Sequence, residues 1–130
     1  MKKIIIIVIL VIAAGAGSVL AYRHFTAPRP VVPFVHDPGD YFVTDIKGSK
    51  ALLKTDIMIL VRDSQLQTGI AANNHKVRND IIFILRGKTE EELKAPGIEN
   101  ALNQEITGKL NAEFACEDFL QIYFNEFVIQ

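Results

Sequence analysis

Hydrophobic positions along this chain follow three regimes. The first is continuous. Ile4 to Tyr22, IIIIVILVIAAGAGSVLAY, is apolar on every side and carries no charge. As an α-helix it would reach roughly 28 Å at ~1.5 Å per residue, close to the ~30 Å hydrocarbon core of a bilayer. Each Ile, Val and Leu favours lipid by roughly 0.3 to 0.6 kcal/mol, so insertion is favourable by a few kcal/mol. The pattern predicts a transmembrane helix over residues 4–22 behind a short tail, residues 1–3.

A second reading of this stretch is a cleaved signal peptide, with Lys2 and Lys3 as its basic start and Val19 and Ala21 as the small residues before a cut at Tyr22. The apolar run passes into Ala and Gly without a polar break, which favours a retained anchor. Ala13, Gly17 and Ala21 recur every four residues, a spacing that lets helix backbones approach closely, and are the candidate membrane-helix packing residues. The same small residues also suit the end of a signal peptide. Lys2 and Lys3 against Arg23 and Arg29 tilt the positive-inside balance slightly toward a cytoplasmic N-terminus. Both readings place the remainder outside the cytoplasm.

The second regime has no period. Residues 23–40 hold Pro28, Pro30, Pro33 and Pro38, four of the five prolines. Proline fixes φ and lacks an amide donor, so the segment is expected to be an extended, semi-rigid linker. It is more apolar than a spacer requires. Phe25, Val32 and Phe34 are therefore candidate partner-binding residues, since an exposed extended segment can dock as a strand or groove ligand.

In the third regime, residues 41–130, alternation and helical spacing take turns. YFVTDI, Tyr41 to Ile46, is β-branched and aromatic, and the KGSK turn follows it. From Ala51 to Arg62, Leu53, Ile57, Ile59 and Val61 share one face, with Lys54, Asp56 and Arg62 on the other. A β-hairpin is expected. Asp63 and Ser64 suit a helix start, and Gln65 to Asn74 is weakly helical. Val77, Ile81, Ile82 and Leu85 mark a helix that Gly87 can close, with a buried strand over the continuously apolar Ile81 to Leu85 as the rival reading. Thr89 with Glu92 forms a capping box, and Pro96–Gly97 ends that turn. Leu102, Ile106 and Leu110 then recur every four residues, giving an amphipathic helix of about four turns from Ile98. Asp118 to Gln130 is expected as a final strand. Leu120, Ile122 and Phe124 fall on one face, and Phe119, Tyr123 and Phe127 on the other, so it should be covered on both faces or partly covered by a partner.

Charge and chemistry narrow the function. From Asp37 onward there are 15 acidic and 10 basic residues, a mildly acidic domain poorly suited to nucleic acid. Cys116 is the only cysteine, so no internal disulfide forms, and its neighbours Glu117 and Asp118 disfavour a thiolate. His24, His36 and His75 lack metal-ligand spacing and suit surface or linker positions. The glycines form no phosphate loop. Glu90, Glu91 and Glu92 read as a helix start beside Thr89. Asp45 and Asp56 are candidates to meet across the hairpin, and Asp80 is a half-buried carboxylate near Arg78 or Arg86. No nucleophile has a base. No catalytic residue, cofactor or metal ligand is therefore assigned.

The order of parts, with DIIFILRGKTEEELKAPG (Asp80 to Gly97) and the terminal IYFNEFVIQ (Ile122 to Gln130), resembles the FliL family of flagellar basal-body-associated proteins. Asn125 stands where a typical member has Thr. The resemblance implies an α+β fold: an N-terminal transmembrane helix, a Pro-rich linker, then a small β-β-α-α-β domain similar to the stomatin-like (SPFH) fold. It implies a single-pass bacterial inner-membrane protein with a periplasmic domain. It also implies association with flagellar stator proteins of the MotA/MotB type and the basal body, and assembly as a homo-oligomer, up to a ring. The residues by themselves support equally another membrane-anchored periplasmic binding or scaffold module unrelated to motility.

Overall fold

The computed structural model describes residues 1–130, which form two compact units, Met1–Pro30 and Val31–Gln130. The first unit is a single helix, α1 (Lys2–Thr26), with no buried residue. It runs four residues past the expected end at Tyr22. The reason is local. Arg23 to Thr26 contain no helix breaker, Thr26 Oγ1 donates to the Tyr22 carbonyl at 2.7 Å, and the helix stops only where Ala27, the residue before Pro28, turns extended (φ −57°, ψ 129°).

The second unit is a four-stranded antiparallel sheet with helices on one face: β1 (Phe34–His36), β2 (Phe42–Asp45), β3 (Leu52–Val61), α2 (Gln67–Ala72), α3 (Asn74–Arg86), α4 (Glu90–Lys94), α5 (Ile98–Glu113) and β4 (Phe119–Ile129). A 3-10 turn, Ser64–Leu66, precedes α2, and Asp63 caps it by accepting from the Gln65 amide at 2.9 Å. β3 is the centre of the sheet. β4 pairs with β3 along its length, and β1 and β2 pair with the two ends of the opposite edge. The α+β class and the hairpin of β2 and β3 agree with the alternation in the sequence, although the connection spans Ile46 to Ala51. Ile46 is buried there, and the Lys47 amide donates to the Lys88 carbonyl at 3.0 Å.

Strand β1 corrects the expectation of a plain linker over residues 23–40. Phe34 to His36 fit between Pro33 and Pro38 with their amides intact, and they pair Phe34 with Val61 and His36 with Ile59. His36 corrects the expectation of a surface or linker histidine. It is 8% exposed, and its Nε2 lies 2.8 Å from Asn74 Oδ1.

The core follows the sequence periods closely. Leu53, Ile57, Ile59 and Val61 point from β3 toward the helices; Val77, Ile81 and Leu85 point from α3, and Leu102, Ile106 and Leu110 from α5, all essentially fully buried. The capping box of α4 is present in both directions. The Thr89 amide donates to Glu92 Oε2 at 2.8 Å, and the Glu92 amide donates to Thr89 Oγ1 at 3.2 Å.

Strand β4 departs from simple alternation. Its register on β3 shifts between Asp56 and Ile57 and again between Leu60 and Val61, each shift inserting an extra residue in β4. A bulge reverses which parity faces the core. Phe119, Ile122, Phe124, Phe127 and Ile129 therefore face the helices, whereas Leu120, Tyr123 and Val128 are exposed. Each of the two expected faces of this strand is thus divided between the core and the outside.

Candidate functional site

The residues singled out in the sequence fall into separate places. Ala13, Gly17 and Ala21 lie along α1 and are exposed, and a Cβ added at Gly17 would meet nothing within 4 Å. Phe25 is on the last turn of α1, 88% exposed. Val32 and Phe34 belong to the other unit. The Val32 side chain is exposed, but its carbonyl accepts from the Ser64 amide at 2.7 Å. Phe34 is half-buried against the core and paired with Val61. The sheet therefore already engages much of Phe34, and only Phe25 and Val32 present largely free side chains.

The carboxylates form no catalytic group. Asp45 and Asp56 do not meet. Asp45 pairs with Leu52 and reaches Arg86 at 3.3 Å, whereas Asp56 sits opposite Glu126 on β4 and accepts from Asn125 at 3.1 Å. Lys94 and Ser49 donate to Glu90, holding its pKa below the usual range, and the Thr89 amide and hydroxyl do the same for Glu92. Asp80 is 7% exposed with Oδ2 unpartnered. Burial pushes its pKa up, and Glu113 adds to this; Lys109 and Lys76 oppose it. Neither expected arginine reaches Asp80. Arg78 donates to the carbonyls of Pro38 and Asp40, and Arg86 is held by Asp45. No three His, Cys, Asp or Glu side chains converge on a common point.

Two polar devices close the domain. Asn74 Nδ2 donates to the Pro38 carbonyl at 2.8 Å while its Oδ1 meets His36, and Arg78 lies over the Phe42 ring at 4.2 Å. Together they fasten β1 and the loop after it to α3. At the far edge of the sheet, Asn111 on α5 both donates to the Phe119 carbonyl and accepts from its amide, at 3.1 and 3.0 Å. Asn103 accepts from the Ile122 amide at 2.6 Å. One helix thereby supplies the hydrogen bonds that a fifth strand would make to the first part of β4.

The sheet face turned away from the helices is a further candidate surface, and sequence reasoning reached only its last strand. Val35, Tyr41, Val43, Leu52, Tyr123 and Val128 are exposed on it, beside half-buried Met58 and Leu60. A sheet solvated on one side ordinarily alternates apolar with polar residues. Asp45, Lys54, Asp56, Gln121 and Glu126 stand among these apolar positions, with Lys54 3.8 Å from Glu126 and 4.2 Å above the Tyr41 ring. On the helical side Phe83 is 73% exposed beside an open groove of about 540 Å³, at whose rim Lys88 and Glu105 pair at 2.6 Å. Both surfaces suit contact with another macromolecule better than chemistry on a small one.

By length and composition α1 is one helix able to cross a membrane. No curated protein matches the chain. Residues 36–130 match the family model described as flagellar basal body-associated protein FliL. The match runs from inside β1 to beyond β4 and so takes in nearly all of the sheet domain. The chain belongs to the FliL family, and with it to the structural accessory proteins of the flagellar basal body.

Proposed function

We propose that this chain is a non-enzymatic accessory of the flagellar motor that associates with stator units of the MotA/MotB type and supports rotation. The observation that carries this reading is the family match over residues 36–130, in a domain where Glu92 serves a helix cap and Asp45 and Glu90 are held in ion pairs. On this reading residues 4–22 are retained as a single-pass anchor in the inner membrane, with residues 1–3 cytoplasmic, residues 23–30 as the connecting segment and the sheet domain Val31–Gln130 periplasmic. The domain is of the stomatin-like (SPFH) kind, and copies assemble as homo-oligomers around a stator, in the limit as a ring.

The anchor contributes through its small residues. Ala13, Gly17 and Ala21 would admit close helix packing in lipid, and Phe25 and Val32, with the uncovered part of Phe34, would meet neighbouring domains or the stator's periplasmic part. Confinement to one membrane raises the effective concentration of copies, so weak contacts suffice.

The test is affinity purification of the full-length chain from cells assembling flagella, beside a swim-plate assay of a deletion strain. Stator subunits should co-purify and swimming or swarming should fall. A chain that brings down no motor component, with normal motility on its deletion, would refute the reading.

A further inference from the structure

Strand β1 is held to the sheet domain unlike the other strands. β2 is nearly as short, but it buries Phe42 and Thr44. The buried apolar core begins at Phe42, and β1 adds to it only the half-buried ring of Phe34; Val31, Val32 and Val35 are exposed. Pro33 and Pro38 flank the strand and keep its pairing from lengthening. What holds the segment is mostly hydrogen bonding at its rim. The Ser64 amide donates to the Val32 carbonyl, Asn74 bridges His36 and the Pro38 carbonyl, and Arg78 donates to the carbonyls of Pro38 and Asp40. Water can take over such bonds at little net cost when the segment lifts. The far end is a turn at Gly39, whose φ of 104° suits glycine. This weakly held segment is also where the chain arriving from α1 enters the domain, through Val32.

We infer that Val31 to Asp40 form a releasable strap, which leaves β3 and returns to it while Phe42 to Gln130 stay folded, and whose release lengthens the tether between α1 and the sheet domain. Segments with few buried apolar contacts open at a lower free energy than the core beside them. Release withdraws one ring, Phe34, and turns one edge of β3 at Ile59 and Val61 to water. The pairing of β3 with β4 and β2 and the helix contacts are untouched. The ten freed residues span at most roughly 35 Å, at about 3.3 to 3.6 Å each. The use of that length rests on the proposed reading of α1 as a retained anchor. A pull between the anchor and a motor component bound to the domain reaches the strap first and favours its open state, so the domain gains reach without unfolding.

Alternation along β3 provides the test. Leu52 and Gln130 exchange both backbone bonds and the Arg62 amide donates to the Asp118 carbonyl, so Met58 and Leu60 face β4, whereas Ile59 and Val61 face β1. Amide hydrogen exchange of the full-length chain in phospholipid nanodiscs, read residue by residue in rising urea, should separate the two sets. Ile59 and Val61 should exchange faster than Met58 and Leu60 by about ten-fold or more, with a flatter urea dependence. Val35 and Leu60 are a non-hydrogen-bonded pair, with Cα atoms about 4.5 Å apart, within the span of a disulfide. In a Cys116→Ala background, Val35→Cys with Leu60→Cys should clamp the strap when oxidised and slow Ile59 and Val61 to the rate of Met58; reduction should restore the difference. Cells carrying the oxidised pair should swim poorly and recover on reduction, while each single variant swims like the Cys116→Ala parent. Equal rates and urea slopes for both sets in the unclamped chain would overturn the release. A clamped strain that swims like its parent, where deletion of the chain abolishes swimming, would overturn the lengthening tether. If the deletion strain itself swims normally, the motor reading fails, and the exchange result alone decides whether the strap opens.

Discussion

Helices α1 and α5 are both built on aliphatic residues, yet they use them in opposite ways. α5 carries one apolar stripe, Leu102, Ile106 and Leu110, and buries all three completely against the sheet. α1 is apolar around its whole circumference and buries nothing. A helix with one apolar face finds its partner within its own domain. A helix apolar on every side needs an apolar surround, which lipid provides. Apolar content therefore says little until it is joined to period. In α5 it specifies the fold, and in α1 it specifies, on the proposed reading, where the fold resides.

The strongest way to break this contrast is to remove what α5 packs on. Truncation before Ile122 deletes the inward side chains Ile122, Phe124, Phe127 and Ile129, each worth roughly 1.5 to 3 kcal/mol when buried, against a total stability of about 5 to 15 kcal/mol. The soluble fragment Val31–Gln130 so shortened should lose its cooperative denaturant transition. A shortened fragment with an unchanged midpoint would show α5 able to bury its stripe without β4. Next in size is the matched pair Ile106→Ala and Ile9→Ala. The first opens a cavity in a fully buried site and should cost about 2 to 5 kcal/mol of domain stability. The second should leave the domain's urea midpoint where it was. In the full chain, Ile9→Asp should instead lower membrane partitioning, by at most about 3 to 4 kcal/mol, the Asp-for-Ile difference at the helix centre. Equal effects of the two alanines on the domain would end the distinction.

Much of the helical half of this contrast was legible in the sequence, because helical period and capping are local signals. Leu102, Ile106 and Leu110 appear in the core as their spacing requires, and Thr89 and Glu92 form the box that their separation suggests. The strands were less legible where the decisive fact is non-local. Phe34 to His36 lie among prolines and become a strand only because Val61 and Ile59 offer an edge. The parity of β4 is set by two bulges that depend on its register with β3, and no period within Phe119 to Ile129 carries that information. Asn103 and Asn111 looked like ordinary polar residues of an amphipathic helix. Their task is visible only once β4 lies beside them. Asn111→Ala should leave the amide and carbonyl of Phe119 unpaired, at a cost of about 1 to 3 kcal/mol in the urea midpoint. An Asn111→Ala fragment as stable as the parent would mean that water replaces the side chain without loss. Thr89→Ala tests a purely local device and should cost about 1 kcal/mol, with α5 and the sheet intact by near-native circular dichroism.

The smallest expected effect lies on the face where α3 meets α5, and it shows as a dependence on pH. Asp80 points inward from α3 with one oxygen unpartnered, and Glu113 on α5 adds a like charge to the cost of its burial. Lys76 and Lys109 offset this in part; Lys76 is itself shared with Glu113 at 3.7 Å, and Lys109 reaches toward the Phe83 ring at 5.8 Å. The folded-state pKa of Asp80 is therefore raised above its ordinary 3.8. The folded domain holds this proton more tightly than the unfolded chain does, so the contribution of Asp80 falls as pH rises from 3.8 through the folded pKa. Glu90 and Glu92, with folded pKa values below 4.5, act in the opposite sense and lose their contribution as pH falls through those lowered values. Asp80→Asn keeps the shape and removes the titration. Urea midpoints of the soluble fragment, measured from neutral pH down toward pH 4, should show the variant more stable than the parent at neutral pH. The two curves should converge on acidification, as the parent's carboxyl takes up its proton. A constant gap across the series would mean that the amide acts through packing alone, and a variant weaker at neutral pH would mean that the ionised Asp80 stabilises the α3–α5 contact.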